Sequence, residues 1–368
     1  MDHAGRLSRL RSGLEENHLD SLLVAHFPNI RYLCGFTGST GVLLVADRGC
    51  ILFTDGRYRT QAKDEVDGAS IVIARKSPLV AAAEWLIARK GRSAPASVGI
   101  EAESITAGMR DRLASVLKGR MRGTNKARLR SAPPLIERAR MVKNAAEILL
   151  IRRAVELGAS LFHIALKKIR PGVSEVEVAG AMEFEARCAG AEGMSFPTIL
   201  ASGTRSAIVH GRASGARIPR RGFVVCDFGV ILAGYCSDRT RTVHVGRPSR
   251  EARLLYEAVL EAQQAAIEAV RPGVTAAEVD GAARRSLRKR KLARYFTHST
   301  GHGLGLEIHE APRLAEGQTQ TLEPGEVITI EPGVYVPGEC GVRIEDVVVV
   351  TRSGCEVLTP TDKELVII

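Results

Sequence analysis

Three of the chain's nine histidines, His298, His302 and His309, fall in one stretch, HSTGHGLGLEIHE (298–310). Imidazoles this close together can bind metal, move protons or fill a core. His298 and His302 have the four-residue separation of a zinc-protease helix, HExxH. Gly301, Gly303 and Gly305, however, make a poor helix interior. The glycines also fail the dinucleotide fingerprint, because Leu306 stands where its last glycine belongs. The histidines must therefore act with carboxylates elsewhere in the chain.

Four acids stand out: Asp227 in FVVCDFG, Asp238 in YCSDRT, Glu331 in VITIEPG and Glu345 in VRIEDVVVV. Each sits in or beside an apolar, β-rich run, where aspartate and glutamate are depleted and seldom buried without a partner. One such acid would read as a solvated strand end. Four in two matching pairs need another account. Gathered in a low-dielectric site they would repel and raise one another's pKa. Two divalent cations would offset the four charges. One nitrogen ligand would complete an oxygen-rich set suited to manganese or cobalt, with zinc possible. His302, between the acid pairs and flanked by glycines that allow close backbone approach, is the expected nitrogen ligand. Two ions about 3.5–4 Å apart activate a bridging water and clamp a tetrahedral intermediate, which predicts hydrolysis of an amide or ester.

An internal repeat supplies the frame that would position these groups. IRPGVSEVEVAGAMEFEARCAG (169–190) resembles VRPGVTAAEVDGAARRSLRKRK (270–291), and RRGFVVCDFGV (220–230) parallels EPGEVITIEPGV (323–334). The shift, close to a hundred residues, is too long for a solenoid and fits duplication of one αβ half about a pseudo-twofold axis. The superposition sets Asp227 against Glu331, and each half then adds a second acid, Asp238 or Glu345. The repeat is preceded by a long helical pattern over 145–169.

Upstream, SLLVAH (21–26), GVLLVA (41–46), CILFTD (50–55) and SIVIA (70–74) predict strands, and PLVAAAEWLIARK (78–90) predicts an amphipathic helix. A small α/β domain over 1–132 is expected, ending before Pro133 and Pro134, with a larger α+β domain over 133–368. Asp55 and Arg57 in FTDGRY are expected to organise a turn.

Composition narrows the function classes. A length of 368 residues with 45% hydrophobic content allows a substantial core. Seven scattered cysteines with no CxxC pair support neither a disulfide framework nor a zinc ribbon. The charged opening lacks a signal-peptide pattern, and no run approaches the roughly 20 apolar residues of a membrane span. A cytoplasmic protein is expected. The net charge of +11 concentrates between Arg110 and Lys143 and in RRSLRKRKLAR (284–294). Neither run contains an aromatic residue to stack bases, so nucleic acid is not the expected partner.

With these features in view, CDFGV, SDRTRT, HSTGHGLGLEIHE, TIEPGVY and GVRIED resemble the motif series of the pita-bread metallopeptidases. That group comprises aminopeptidase P, prolidase, creatinase and methionine aminopeptidase. GFTGSTGVLLV and LFTDGRYRTQA are similar to the creatinase/prolidase N-terminal domain, so the resemblance spans nearly the whole chain. It implies an α/β N-terminal domain followed by an α+β pita-bread catalytic domain with pseudo-twofold duplication. By resemblance Asp227, Asp238, His302, Glu331 and Glu345 are the metal ligands, with Asp238 and Glu345 bridging two ions. Asp227 would hold one ion, and His302 with Glu331 the other. Glu331 would also accept the water's proton. His210 and His309 match histidines that stabilise the scissile carbonyl and its tetrahedral intermediate. His298 matches a third histidine of the substrate pocket, and Arg343 an arginine that orients the site through nearby carboxylates. Tyr335 reads equally as packing or as a hydroxyl aimed at the pocket, and Cys226 as a small buried filler.

The complete ligand set argues against creatinase, and the N-terminal domain against methionine aminopeptidase. The expected activity is that of an Xaa-Pro aminopeptidase on proline-containing peptides, with two ions, manganese foremost. Xaa-Pro dipeptidase is the alternative, because Gly303 stands where the longer aminopeptidases P place tryptophan. A non-catalytic peptide-binding protein is a further alternative. A homodimer is expected, since in relatives the N-terminal domain shapes a neighbouring subunit's cleft.

Overall fold

A computed structural model of the protein describes all residues except 48, 89–96, 121–127 and 361, and the side chains of 118–120. The end of the expected 78–90 helix and part of the basic Arg110–Lys143 run lie outside the described residues. The chain divides into two compact units, Met1–Arg140 and Met141–Ile368.

The first unit is built on a six-stranded sheet. Strands Ser21–Val24, Gly41–Ala46 and Gly49–Asp55 form an antiparallel meander, while Ser70–Ala74, Ser97–Glu101 and Arg128–Ala132 extend it in parallel at its two edges. Leu23, Val42, Leu44 and Phe53 bury one sheet face against Leu79, Ala83 and Leu86 of the Pro78–Ala88 helix. Each such side chain contributes roughly 1.5–3 kcal/mol by leaving water. The division falls after Arg140 rather than after residue 132, and the reason is a buried polar knot. Arg140 Nη1 donates to Asn29 Oδ1 at 2.7 Å, and Asn29 Nδ2 donates to Glu101 and Glu137. The Leu135–Met141 helix is thereby fastened to this unit despite the two prolines before it. Asp55 accepts from the Arg57 backbone and guanidinium, the expected turn.

The second unit contains the two matching halves. In the first, helices Ala145–Lys168 and Glu175–Cys188 cover an antiparallel sheet of Ile199–Ser202, Gly222–Asp227 and Thr240–Val245. Leu161, Phe162, Val178, Met182, Val224 and Val243 make its core. In the second, helices Arg250–Ala269 and Ala276–Lys289 cover a five-stranded sheet centred on Val327–Ile330, and Val259, Ala283, Leu287, Ile328 and Val348 make a separate core. Ile151 and Val155 of the first helix pack with Val327 and Val347, which joins the halves.

The repeated RPGV[ST] sequence now has a physical account. Gly172 (φ +87°) and Gly273 (φ +80°) make the left-handed turn between paired helices. Ser174 with Glu177, and Thr275 with Glu278, then close capping boxes on the second helix of each pair. Each cap stabilises its helix by about 1 kcal/mol. Among the described residues no helix is long and apolar enough to cross a membrane.

Candidate metal centre

The four acids stand at corresponding ends of the two central hairpins. Asp227 closes the Gly222–Asp227 strand opposite Thr240, and Asp238 lies just ahead of the strand that begins at Thr240. Glu331 follows Val327–Ile330, and Glu345 immediately precedes Asp346, the register partner of Ile330. His302 occupies the short strand Gly301–Gly303, not a helix. A Cβ on Gly301 would meet Thr329 O at 1.9 Å, and one on Gly303 would meet Ala311 O at 2.2 Å. These glycines let three strands close around the imidazole.

All five residues line one cavity of about 830 Å³. Asp238, His302 and Glu345 each offer a ligand atom within 4.8 Å of the others. His302 Nε2 lies 3.5 Å from Asp238 Oδ2 and 3.4 Å from Glu331 Oε1. Asp227 is brought into the same cavity but turns its Oδ2 onto Arg343, at 2.6 Å.

The electrostatics call for positive charge at this place. Burial, then the neighbouring Glu345, drives the Asp238 carboxyl well above its ordinary range, and burial with Glu331 does the same to Glu345. Burial pushes Glu331 up to about 8, against the pull of Arg343. Burial also lowers His302 to about 4, so its imidazole is neutral at pH 7. Its Nδ1 lies 2.9 Å from Gly303 O, which assigns the proton to that nitrogen. The Nε2 lone pair therefore faces the carboxyl groups of Asp238 and Glu331. The buried Asp227 Oδ1 and Asp238 Oδ1 have no hydrogen-bond partner among the described residues. Orphaned acceptors, a lone pair and four acids together fit divalent cations, and an oxygen-rich set with one imidazole suits manganese, cobalt or zinc.

The remaining sequence-predicted residues surround this cluster. The exposed His210 and His309 line the cavity, and the His309 ring sits edge-on to His302 with centroids 4.4 Å apart. His298 lies deeper, and burial followed by the charge on Arg343 lowers it to about 3. Its Nε2 is 3.0 Å from the Tyr335 hydroxyl, which accepts a 2.6 Å hydrogen bond from Arg343 Nη1. Tyr335 is thus neither plain packing nor a free pocket hydroxyl; it couples His298 to Arg343. Arg343 also donates to Thr240 Oγ1 and Val209 O, so every arm of its guanidinium is held. Cys226 is fully buried, its thiol pushed up to about 12, as a small filler would be.

Several supporting residues escaped the sequence reading. Arg284, within the basic run, is turned inward: it pairs with Asp280 at 2.7 Å and donates to the carbonyls of Phe296 and His298. Asp280 in turn accepts from the Thr300 amide and hydroxyl, fixing the segment that carries His298 and His302. The i,i+4 spacing of Asp280 and Arg284 was the available signal. Arg313 is the register partner of His302 on the adjacent strand, which puts their side chains on one sheet face. Arg212 and Arg313 both line the cavity.

A duplicated fold whose strand ends converge on buried carboxylates and one neutral imidazole defines a metal-dependent hydrolase of pita-bread architecture. The chain belongs to metallopeptidase family M24, whose model matches residues 150–352, and residues 6–142 match the Creatinase/Prolidase N-terminal domain. It is 37% identical over 363 residues to an Xaa-Pro dipeptidase of Pyrococcus furiosus, covering 98% of this chain and 99% of that one. Among solved structures, an Xaa-Pro dipeptidase from Bacillus anthracis superposes with a TM-score of 0.94 at 38% identity over all of both chains. An X-Pro aminopeptidase from Thermotoga maritima gives 0.87 at 33% identity, covering 99% of this chain and 100% of that one.

Proposed function

We propose that the protein hydrolyses the peptide bond between an N-terminal residue and a following proline, with Asp227, Asp238, His302, Glu331 and Glu345 holding two divalent ions. The observation that carries this reading is His302 Nε2 set at 3.4–3.5 Å from the carboxyl oxygens of Asp238 and Glu331. Manganese is the expected metal. Bound there, the ions would supply Lewis acidity and an activated water at neutral pH.

The chain's own residues do the rest. Glu331, its Oε1 3.3 Å from the Thr329 hydroxyl, is placed to take the proton of the attacking water. From there the carboxyl would pass that proton to the leaving proline nitrogen. His210 and His309 reach the cavity from outside the ligand cluster and donate to the carbonyl oxygen as it gains charge. Partial enclosure of its ring by the cavity lowers His309 from the ordinary histidine value, which leaves its imidazole neutral at pH 7 and able to donate from one nitrogen. Arg343 holds Asp227 in one orientation, and Tyr335 fixes His298 as a wall of the pocket.

Substrate length divides aminopeptidase from dipeptidase. The aminopeptidase reading leaves the cavity open beyond proline. The dipeptidase reading is favoured by Arg212 and Arg313, two guanidiniums on the cavity wall that suit a free C-terminal carboxylate. It is also the name borne by the Pyrococcus furiosus and Bacillus anthracis relatives. Digests of Ala-Pro, Ala-Pro-Ala and Ala-Ala with added Mn²⁺ decide the matter. Cleavage of Ala-Pro-Ala supports the aminopeptidase reading, cleavage of Ala-Pro alone supports the dipeptidase, and Ala-Ala as the best substrate rejects both. A homodimer in the cytoplasm completes the proposal.

A further inference from the structure

His210 sits on a long loop between the Ile199–Ser202 and Gly222–Asp227 strands. Isolated backbone bridges, Ile199 with Arg212 and Ser174 with Arg217, hold its far side, and a donor for a developing oxyanion must be held within a fraction of an ångström. Side-chain anchors from both arms of the loop converge on one carboxylate. Glu175, at the start of the Glu175–Cys188 helix, is fully buried. Its Oε1 accepts from the Ser202 amide at 2.9 Å and the Ser202 hydroxyl at 3.0 Å. Its Oε2 accepts from the Ser214 amide at 3.1 Å and the Ser214 hydroxyl at 2.7 Å. Arg205 Nε reaches both oxygens, at 3.2 and 3.1 Å, and its Nη2 continues to Arg212 O at 2.9 Å. One carboxylate therefore fastens the loop on either side of His210. Arg343 secures the middle through Val209 O.

The internal repeat shows that this carboxylate is not required by the helix it begins. The two halves align RPGVSEVEV (170–178) with RPGVTAAEV (271–279), which sets Glu175 against Ala276. Both positions are fully buried, both helices have their own capping box, and both backbone amides bond a carbonyl of the following segment, Ala216 O or Gln320 O. The fold of a half is thus satisfied by alanine here. A buried carboxylate is costly to desolvate, and this one stands in the half whose loop carries His210 to the cavity.

We infer that Glu175 is a positioning residue for hydrolysis: it clamps the 202–214 loop so that His210 meets the scissile carbonyl. This rests on the reading of His210 given above. None of the five candidate ligands is among the hydrogen-bond partners of Glu175.

The test is a double-mutant cycle between Glu175→Gln and His210→Ala on the full-length, metal-loaded enzyme, with Ser214→Ala as a milder variant that removes one arm of the clamp. Steady-state kinetics are read beside metal content and amide exchange of residues 203–214. The expected result is a kcat loss of about 10- to 100-fold for Glu175→Gln and about 3- to 10-fold for Ser214→Ala, with faster exchange in the loop and unchanged metal content. In the His210→Ala background the same substitutions should change kcat by less than about twofold. Equal losses in both backgrounds would overturn the inference and mark Glu175 as merely structural. Should Glu175→Gln not fold, the Ser214→Ala arm decides by the same comparison. Full turnover by His210→Ala alone would reject the role of His210, and the inference with it. An altered substrate preference with the coupling intact would instead reject only the Xaa-Pro assignment.

Discussion

Arg343 Nη2 meets Asp227 Oδ2 at 2.6 Å while the other oxygen of that carboxylate stays buried with no hydrogen-bond partner among the described residues. One half of the unit thus contributes an acid whose orientation is set by an arginine of the other half. The guanidinium also holds Tyr335, Thr240 and Val209. Removing it leaves the Asp227 charge uncompensated and takes a donor from three further acceptors. Arg343→Met should lower stability by about 3–5 kcal/mol, measured by urea unfolding, and reduce activity at least tenfold. Arg343→Lys should recover only part of either loss, because an ammonium cannot serve four acceptors in a plane.

The site should also make the metal-free protein lose stability with rising pH. Glu331 has a folded-state pKa of about 8, raised from 4.5 by burial, and Asp238 and Glu345 are raised as well. Between these limits the folded state binds more protons than the unfolded one, so stability falls as pH rises. His302, lowered from 6.5 to about 4, works in the opposite sense, but only below 6.5. Above pH 6.5 the opposing contribution of His302 and His298 fades, and the raised carboxylates, with Glu326 pushed up to about 7 by burial, set the slope up to pH 8. Denaturation of chelator-treated protein should therefore show a falling midpoint across that window, and saturating Mn²⁺ should flatten it. A rising midpoint in the metal-free protein would mean that the acids are compensated by something other than metal.

His309 sits against the ring of His302 without belonging to the ligand cluster. His309→Ala should cut kcat by about 10²–10³ and leave KM within about threefold, since the donated bond strengthens only as charge develops. Metal content, read by elemental analysis, should not change. Loss of metal in this variant would reassign the residue as a ligand.

Arg313 shares a sheet face with His302 at the cavity wall. Under the dipeptidase reading, Arg313→Ala should raise KM for Ala-Pro about tenfold or more. It should do little to Ala-Pro-amide, which has no terminal carboxylate. Equal effects on both substrates would remove Arg313 from carboxylate recognition.

Much of this was legible because the duplication repeats its signals. The RPGV turn, the cap three residues before a glutamate and the acid at the end of an apolar strand each occur twice, and the second copy disambiguates the first. The glycines around His302 announced close strand packing, which the 1.9 and 2.2 Å approaches bear out. What could not be read was the polar scaffolding between distant segments. Asp280 holding Thr300, Arg140 holding Asn29 and Glu175 holding Ser214 are contacts set by tertiary packing, and no periodicity encodes them. The boundary at 132 followed from Pro133 and Pro134. The structure divides after Arg140, because buried hydrogen bonds across the helix that follows outweigh the local break.

The central claim is that five side chains hold a pair of divalent ions, and metal content after reconstitution tests it most directly. The parent protein, stripped with chelator, dialysed against Mn²⁺ and desalted, should retain two ions per chain, and Asp238→Asn should lose both ions together with activity while remaining folded. A parent that retains no stoichiometric metal yet turns over Ala-Pro, or an Asp238→Asn variant that keeps both ions, would contradict it.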